Sequence, residues 1–193
     1  MIALEIWAGH SAQGVLTRMD NIEERVGKLE GIIEDQARQL RLFKDLRELQ
    51  DLHTDYAYFL SAREWEKIVD LFTDDAVAIL HRRGRFVGKS EIVRIFKEIT
   101  QNNRGKGRDG HLALQPRIRV DGDKATAHWL MYIMMLDPKD GCENKWMHGR
   151  HDVGYVRVDG EWKIDFMMFV SPWPREAWSF PSEEQLVEWG ITI

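Results

Sequence analysis

The stretch YAYFLSAREWEKIVDLFTDDAVAIL, residues 56–80, contains the change of periodicity that decides the fold. Its apolar residues first recur every three or four positions, which predicts two helices joined near residues 61–62. After Asp74 and Asp75 the run AVAILH, residues 76–81, is short and apolar up to Leu80, which predicts a strand. Helices therefore come first in the chain, and a sheet follows them.

Upstream, the sequence predicts a long amphipathic helix that begins near residue 21, with Asp20 or Asn21 as its N-cap. Its apolar residues alternate in steps of four and three, a short heptad seam formed by Ile22, Val26, Leu29, Ile33, Leu40 and Phe43. Further apolar positions widen the stripe, so the helix docks on its own domain, on neighbouring copies, or both. We favour a homo-oligomer.

Downstream, apolar and polar residues alternate with a period of two. Strands are predicted over residues 112–120, 124–136, 145–158 and 161–169, with hairpin turns at the Asp-Gly pairs 121–122 and 159–160. Helices followed by consecutive antiparallel strands indicate an α+β fold, a curved sheet with helices against one face. We divide the chain into an N-terminal extension (1–20), the helix (21–47), the main domain (48–170) and a tail or pocket lid (171–193).

Composition and charge exclude several classes of function. The chain has 193 residues and a net charge of −5, which leaves no basic surface for nucleic acid. No apolar run is long enough to cross a bilayer, and the N-terminus lacks the basic start of a signal peptide. With its one cysteine, Cys142, this is what we expect of a soluble cytoplasmic protein that binds no membrane.

The 56–80 stretch, the position of Trp65 and the ending VDGEWKI, residues 158–164, resemble the NTF2-like superfamily, specifically its SnoaL-like branch. That branch includes lyases of the scytalone dehydratase and bile-acid 7α-dehydratase type. The resemblance spans roughly residues 46–170 and implies a cone-like fold around an apolar pocket, frequent trimers, and lyase or isomerase chemistry without a cofactor. The same cone also hosts cyclases and binding domains, so the fold alone does not settle the function.

His111 is the first candidate catalytic residue. It begins a strand whose alternation puts Ala113 and Gln115 on its own face and Leu112 and Leu114 on the other. The resemblance implies that this histidine is the general base, and a neutral imidazole suits proton abstraction near neutral pH. An exposed histidine at a strand end is the structural alternative.

Ser61 stands where the resembling dehydratases carry an aspartate that orients the histidine. Serine accepts a hydrogen bond but supplies no charge, so either another acid such as Asp55 substitutes or the reaction needs a weaker base. We place Ser61 among the substrate-binding residues.

Tyr56 and His151 are the other two candidate catalytic residues. Tyr56 matches a pocket tyrosine of the bile-acid dehydratases and could donate a hydrogen bond to a leaving oxygen or carbonyl. His151 shares a strand face with Met147, Gly149 and Tyr155, and it could polarise a carbonyl or bind a hydroxyl. Polar core residues with satisfied hydrogen bonds are the alternative for both.

The remaining predicted substrate-binding residues are apolar walls and one glycine that leaves room for a ligand: Trp129, Met131, Ile133, Met135, Met147, Gly149, Phe59 and Leu60. Plain core packing is their alternative. No metal site is predicted, because His148 and His151 lie three positions apart on a strand and face opposite sides.

Three hypotheses follow for the function. The first is a cofactor-independent lyase acting on a small hydrophobic, aromatic, hydroxylated molecule. It would remove water, or cleave a carbon-carbon bond and release formaldehyde from a lignin-derived diaryl compound. The second is an isomerase or cyclase, and the third is a non-catalytic module that binds a small molecule.

Overall fold

The computed structural model describes residues 2–80, 83–102, 110–137 and 143–170. Its helices are α1 (Ile2–Ala62), α2 (Trp65–Asp70) and α3 (Lys89–Asn102). Its strands are β1 (Phe72–Leu80), β2 (Gly84–Val87), β3 (Gly110–Asp121), β4 (Lys124–Asp137), β5 (Glu143–Val158) and β6 (Glu161–Val170). The predicted tail, residues 171–193, lies outside the described residues.

The strands form one curved, unclosed mixed sheet in the order β2-β1-β6-β5-β4-β3. Neighbours are antiparallel except β1 and β6, which run parallel. The two predicted Asp-Gly turns join β3 to β4 and β5 to β6, and Gly122 and Gly160 adopt the positive φ values that such turns require. The α+β prediction is confirmed.

Contacts divide the chain into two units, Met1–Lys44 and Asp45–Ile193. In the first unit the predicted seam residues are exposed, from Ile22 at 57% to Phe43 at 69%. The predicted helix start was wrong, because α1 runs without a break from Ile2 and Asp20 and Asn21 are internal to it. Alanine and leucine recur through residues 3–16 without a proline, so helix continues there without a regular apolar stripe. None of the helices within the described ranges is long and apolar enough to span a membrane.

In the second unit, α1 ends in a turn that fixes the position of Ser61. Arg63 has φ 62°, its N–H donates to the carbonyl of Leu60 (3.2 Å), and the N–H of Glu64 donates to the carbonyl of Phe59 (2.9 Å). These bonds form a Schellman motif with arginine in the left-handed position that usually favours glycine. α2 then leads into β1, as the 56–80 pattern predicts.

Two strand predictions needed correction. Asp74 and Asp75 do not precede the strand but lie within β1, where the register with β6 shifts between Phe72 and Val77. Gln115 does not share the face of His111: it has φ 47°, lies in a register shift of β3 and is exposed. The bulge changes the phase of the alternation, so Ile118 and Val120 face inward after it.

The core lies between the inner face of the sheet and a stripe of α1. Leu49, Leu52 and Tyr56 from the helix pack with alternate residues of β4, β5 and β6. Arg157 of β5 fastens the same helix to the sheet: its guanidinium pairs with Asp45 and lies 4.3 Å from the centroid of the Trp162 ring. The elements that carry the candidate residues are therefore held together by burial and by this ion pair.

Candidate functional site

His111 faces inward at the start of β3, on the same side of the strand as half-buried Ala113. Leu112 and Leu114 are each 42% exposed on the other side. This is the face that the resemblance implied, not the alternative in which the leucines face the core. His111 pairs with Ile133 of β4, so it lies beside the sheet's buried layer.

Ser61 contacts His111 directly. Its Oγ lies 3.2 Å from Nδ1 of His111, accepts the backbone N–H of His111 at 3.0 Å, and donates to the carbonyl of Ala57 at 2.9 Å. Since the hydroxyl hydrogen goes to Ala57, Ser61 acts as the acceptor for a proton on Nδ1. This arrangement puts the lone pair of the neutral imidazole on Nε2.

Asp55 does not take the place of the missing aspartate. It is exposed on α1, and it makes no contact with His111 in the part of the chain that the structure describes. The partner that the structure gives to Nδ1 of His111 is therefore the uncharged hydroxyl of Ser61.

Tyr56 and His151 are brought together in the core. Their ring centroids are 5.7 Å apart and edge-on, and both side chains are buried, at 2% and 4% exposure. Burial lowers the pKa of His151 to about 3, and the charge of His111 is the next cause. Burial raises the pKa of Tyr56, so its hydroxyl keeps its proton.

Five of the predicted apolar substrate-binding residues are buried or half-buried in the structure. Trp129, Met131 and Ile133 alternate inward on β4 and are buried, while Phe59 and Leu60 are half-buried at the edge of the core. The side chains of Met135 and Met147 lie outside the described part of the chain.

The space beside Gly149 is filled by protein. A Cβ placed there would lie 2.5 Å from Cε2 of Phe169 and 2.7 Å from the carbonyl oxygen of Val170. Gly149 thus admits the Phe169 ring of the neighbouring strand, not a ligand. Phe169 in turn packs edge-on against His151, with centroids 5.3 Å apart.

Sequence reasoning missed two residues at this site, His53 and Phe169. Nε2 of His53 lies 3.3 Å from Nδ1 of His151, and its Nδ1 lies 3.1 Å from the hydroxyl of Tyr155. A signal existed, since His53 continues the helical stripe of Leu49, Tyr56 and Leu60 at steps of four, three and four. A polar residue in such a stripe needs buried partners.

No metal centre is formed by the residues described: they contain no group of three or more His, Cys, Asp or Glu side chains suited to a metal ion. His148 lies on the opposite face of β5 from His151, with its ring 4.8 Å from that of Tyr132. A separate cavity of about 600 Å³ opens at the β3 bulge and is lined by Gln115, Pro116, Arg117, His128, Trp129, Leu130 and Arg150.

Several solved structures share this fold. A candidate scytalone dehydratase from Novosphingobium aromaticivorans has 19% identity and a TM-score of 0.60, over 67% of this chain and 85% of that one. A hexachlorocyclohexane dehydrochlorinase from Novosphingobium barchaimii has 17% identity and a TM-score of 0.63, over 70% and 91%. An NTF2-like protein with a cystatin-like fold from Novosphingobium aromaticivorans has 17% identity and a TM-score of 0.64, over 75% and 95%.

Sequence comparison with curated proteins finds no match. The model of the SnoaL-like domain matches residues 41–168, which include α1 from Arg41 onward and every strand up to Met168. The chain therefore belongs to the SnoaL-like domain family.

Proposed function

We propose that this protein is a cofactor-independent lyase for a small hydrophobic, aromatic, hydroxylated substrate, with His111 as the general base. One observation carries the proposal: Ser61 holds His111 through Nδ1, and the charge of His111 acts on the buried His151, whose ring lies 5.7 Å from that of Tyr56. A base beside hydrogen-bond donors is what an elimination needs, because a proton leaves one atom while negative charge develops on an oxygen nearby.

The surroundings support an aromatic substrate. Phe72 and Phe96 lie edge-on or tilted against Tyr56, with centroids 6.2 Å away, and Phe169 packs against His151. Aromatic rings prefer such offset and edge-on contacts with other rings. An apolar environment also strengthens the hydrogen bonds from Tyr56 and His151 to a charged oxygen.

For loss of water, Nε2 of His111 takes a proton from carbon and the C–H electron pair forms a carbon-carbon double bond. The C–O bond of the neighbouring carbon breaks, and Tyr56 and His151 stabilise the departing oxygen. That oxygen leaves as water after it receives a proton, which the protonated His111 can supply.

For release of formaldehyde, His111 takes the proton of a hydroxymethyl group. The C–C bond to that group breaks as the C=O bond of formaldehyde forms, and its electron pair makes a double bond to the next carbon. The hydroxyl of that carbon is expelled and leaves as water with the proton that His111 took. The same two donors would stabilise this oxygen, so the site accommodates both reactions.

Two alternative functions would use the same residues. An isomerase or cyclase needs a proton removed and returned, with no fragment lost. A binding module needs no base, and it would use Tyr56 and His151 as fixed hydrogen-bond donors to a ligand.

Product mass tests the proposal. Wild type, His111→Ala and the matched control His148→Ala are incubated with hydroxylated aromatic compounds, including hydroxymethyl diaryl compounds, and formaldehyde is assayed in parallel. With wild type and control we expect the product to be lighter by about 18 mass units, one water, or by about 48, one formaldehyde and one water. His111→Ala is expected to react at least about a hundredfold more slowly. Products of unchanged mass would replace the lyase by an isomerase.

We also propose that the chain forms a homo-oligomer, a trimer by preference, through the exposed seam of α1. Ile22, Val26 and Leu29 are each about half exposed at heptad spacing, and apolar residues at such spacing pair helices of identical chains. Light scattering of wild type and Val26→Lys/Ile33→Lys is expected to show a multimer and a smaller species. Equal masses would contradict a role for the seam.

A further inference from the structure

Four buried side chains form a continuous hydrogen-bonded series behind the proposed site. Nε1–H of Trp129 donates to the hydroxyl of Tyr155 at 3.0 Å, and that hydroxyl lies 3.1 Å from Nδ1 of His53. Nε2 of His53 lies 3.3 Å from Nδ1 of His151. None of the four side chains is more than 4% exposed, so water does not compete for these bonds.

Ring packing fixes the orientation of His53 within this series. Its ring stacks on Trp129 with centroids 4.4 Å apart and 13° between the planes, and it lies tilted against Tyr56 and edge-on to His151. A ring flip would exchange Nδ1 and Nε2 for carbon and break both hydrogen bonds. His53 therefore presents one nitrogen to Tyr155 and the other to His151.

Burial keeps both imidazoles uncharged. It lowers the pKa of His53 well below its ordinary value and that of His151 to about 3, and it raises the pKa of Tyr155. Each histidine consequently carries one N–H, and Tyr155 carries its hydroxyl hydrogen.

With one hydrogen on each group, one direction satisfies the donors of Trp129, Tyr155 and His53 and leaves only the Nε2–H of His151, at the end of the series, for a partner outside it. If Tyr155 donates to Nδ1 of His53, then Nε2–H of His53 donates to Nδ1 of His151, and the hydrogen of His151 is on Nε2. In the reverse direction Nδ1–H of His53 and Nε1–H of Trp129 both point at the Tyr155 oxygen. The tyrosine hydrogen is then left without an acceptor among the described residues, at a side chain only 1% exposed.

We propose that His53 is a positioning residue which, with Tyr155 and Trp129, holds His151 as the tautomer that donates a hydrogen bond from Nε2. The assignment rests on the proposed function only in that Nε2 of His151 is taken to face the substrate. It deepens that function, since the substrate group bound there must be an acceptor: a carbonyl, ether or departing hydroxyl oxygen. A neutral donor fixed in advance stabilises charge on such an oxygen without reorganising during the reaction.

Nitrogen NMR of the histidine rings tests the tautomer without any substrate. In wild-type protein labelled with ¹⁵N-histidine, and with His151 and His53 assigned from His151→Gln and His53→Gln, we expect His151 to be protonated on Nε2 and bare on Nδ1. Tyr155→Phe removes the hydrogen that sets the direction and is expected to move both His151 nitrogens towards averaged shifts. Tyr132→Phe, on the outer face, is the matched control and is expected to leave them unchanged.

Two conservative changes at residue 53 separate positioning from packing. His53→Gln keeps a donor towards His151 and an acceptor towards Tyr155, whereas His53→Leu keeps only the bulk. We expect the leucine variant to lower kcat about tenfold to a hundredfold with little change in KM, and glutamine to restore most of the rate. Protonation of His151 on Nδ1 in the wild type, or unchanged nitrogen shifts in Tyr155→Phe, would overturn the inference whether or not the protein proves to be a lyase.

Discussion

Ser61 is the residue at which this chain departs most clearly from the resembling dehydratases. A hydroxyl occupies the position of a carboxylate, yet it keeps the geometric role, because it contacts Nδ1 and the backbone N–H of His111 together. Orientation of the imidazole is thus retained, whereas Ser61 brings no charge of its own. A reaction that needs only a weak base is compatible with this exchange.

Substitution of Ser61 is expected to separate these two effects. Ser61→Ala removes the acceptor of Nδ1–H, and we expect kcat to fall about tenfold. This corresponds to roughly 1.4 kcal/mol, the contribution of one neutral hydrogen bond. Ser61→Asp adds a carboxylate that stabilises the protonated imidazole, which should move the acid limb of the rate profile to higher pH. Steady-state kinetics from pH 5 to 9 measures both, and identical profiles for serine and aspartate would show that Ser61 does not act on His111.

The sequence allowed His111, Ser61, Tyr56 and His151 to be selected, because each occupies a position that the resemblance or strand alternation defines. His53 could not be assigned a role in the same way, since its partners, Tyr155 and His151, are about 100 positions away and meet it only through sheet register. That the Phe169 ring occupies the space beside Gly149 could not be predicted for the same reason, because this contact depends on the pairing of β5 with β6.

Among the secondary-structure elements, α2, β1 and the four strands from β3 to β6 were predictable from periodicity and turns. The bulges in β1 and β3 were not, because an extra residue in a strand changes the phase without changing the composition. The start of α1 was missed because helix in residues 2–20 follows no apolar stripe. The apolar pattern of a sequence indicates which face of a helix or strand is buried. The bulges and the start of α1 do not depend on such burial.

Arg157 joins α1 to the hairpin turns and provides a test of this packing. Its guanidinium pairs with Asp45, lies 3.3 Å from a carboxylate oxygen of Asp123, and stacks on Trp162, at only 22% side-chain exposure. Arg157→Met keeps the aliphatic stem and leaves the partly buried Asp45 unpaired, so we expect a loss of about 1–3 kcal/mol in the free energy of unfolding.

Arg47→Met is the matched control for this measurement. Arg47 pairs with Asp51 at 2.8 Å on the exposed side of the same helix, and exposed pairs contribute about 0.5 kcal/mol or less. Urea denaturation of the three proteins gives both values. Equal stability of Arg157→Met and wild type would show that the ion pair does not fasten the helix.

At the scale of the whole molecule, the two buried histidines make folding stability depend on pH. Burial lowers the pKa of His53 and His151 in the folded state, whereas in the unfolded chain both titrate near 6.5. Below about pH 6.5 the unfolded state binds more protons than the folded state, so stability falls as the pH falls. Well below pH 6.5, each histidine lowers the free energy of unfolding by about 1.4 kcal/mol for every pH unit of acidification. For His151 this loss extends down to about pH 3, the pKa of its folded state.

Urea denaturation at pH 5.0, 5.5, 6.0 and 7.0 measures this slope. His53→Gln removes one of the two titrating groups and keeps its hydrogen-bonding pattern, so we expect a flatter dependence by about 1.4 kcal/mol per pH unit. The same slope in wild type and His53→Gln would mean that His53 is protonated in the folded protein.

Catalysis and mere binding at this site are distinguished by measuring both on one compound. Thermal stabilisation reports binding, and product formation reports turnover, for wild type and His111→Ala with each hydroxylated aromatic compound. We predict that a compound which stabilises both proteins is converted by the wild type alone. Stabilisation of both proteins with no product from either, across the compounds that bind, would contradict the lyase and leave a small-molecule-binding module.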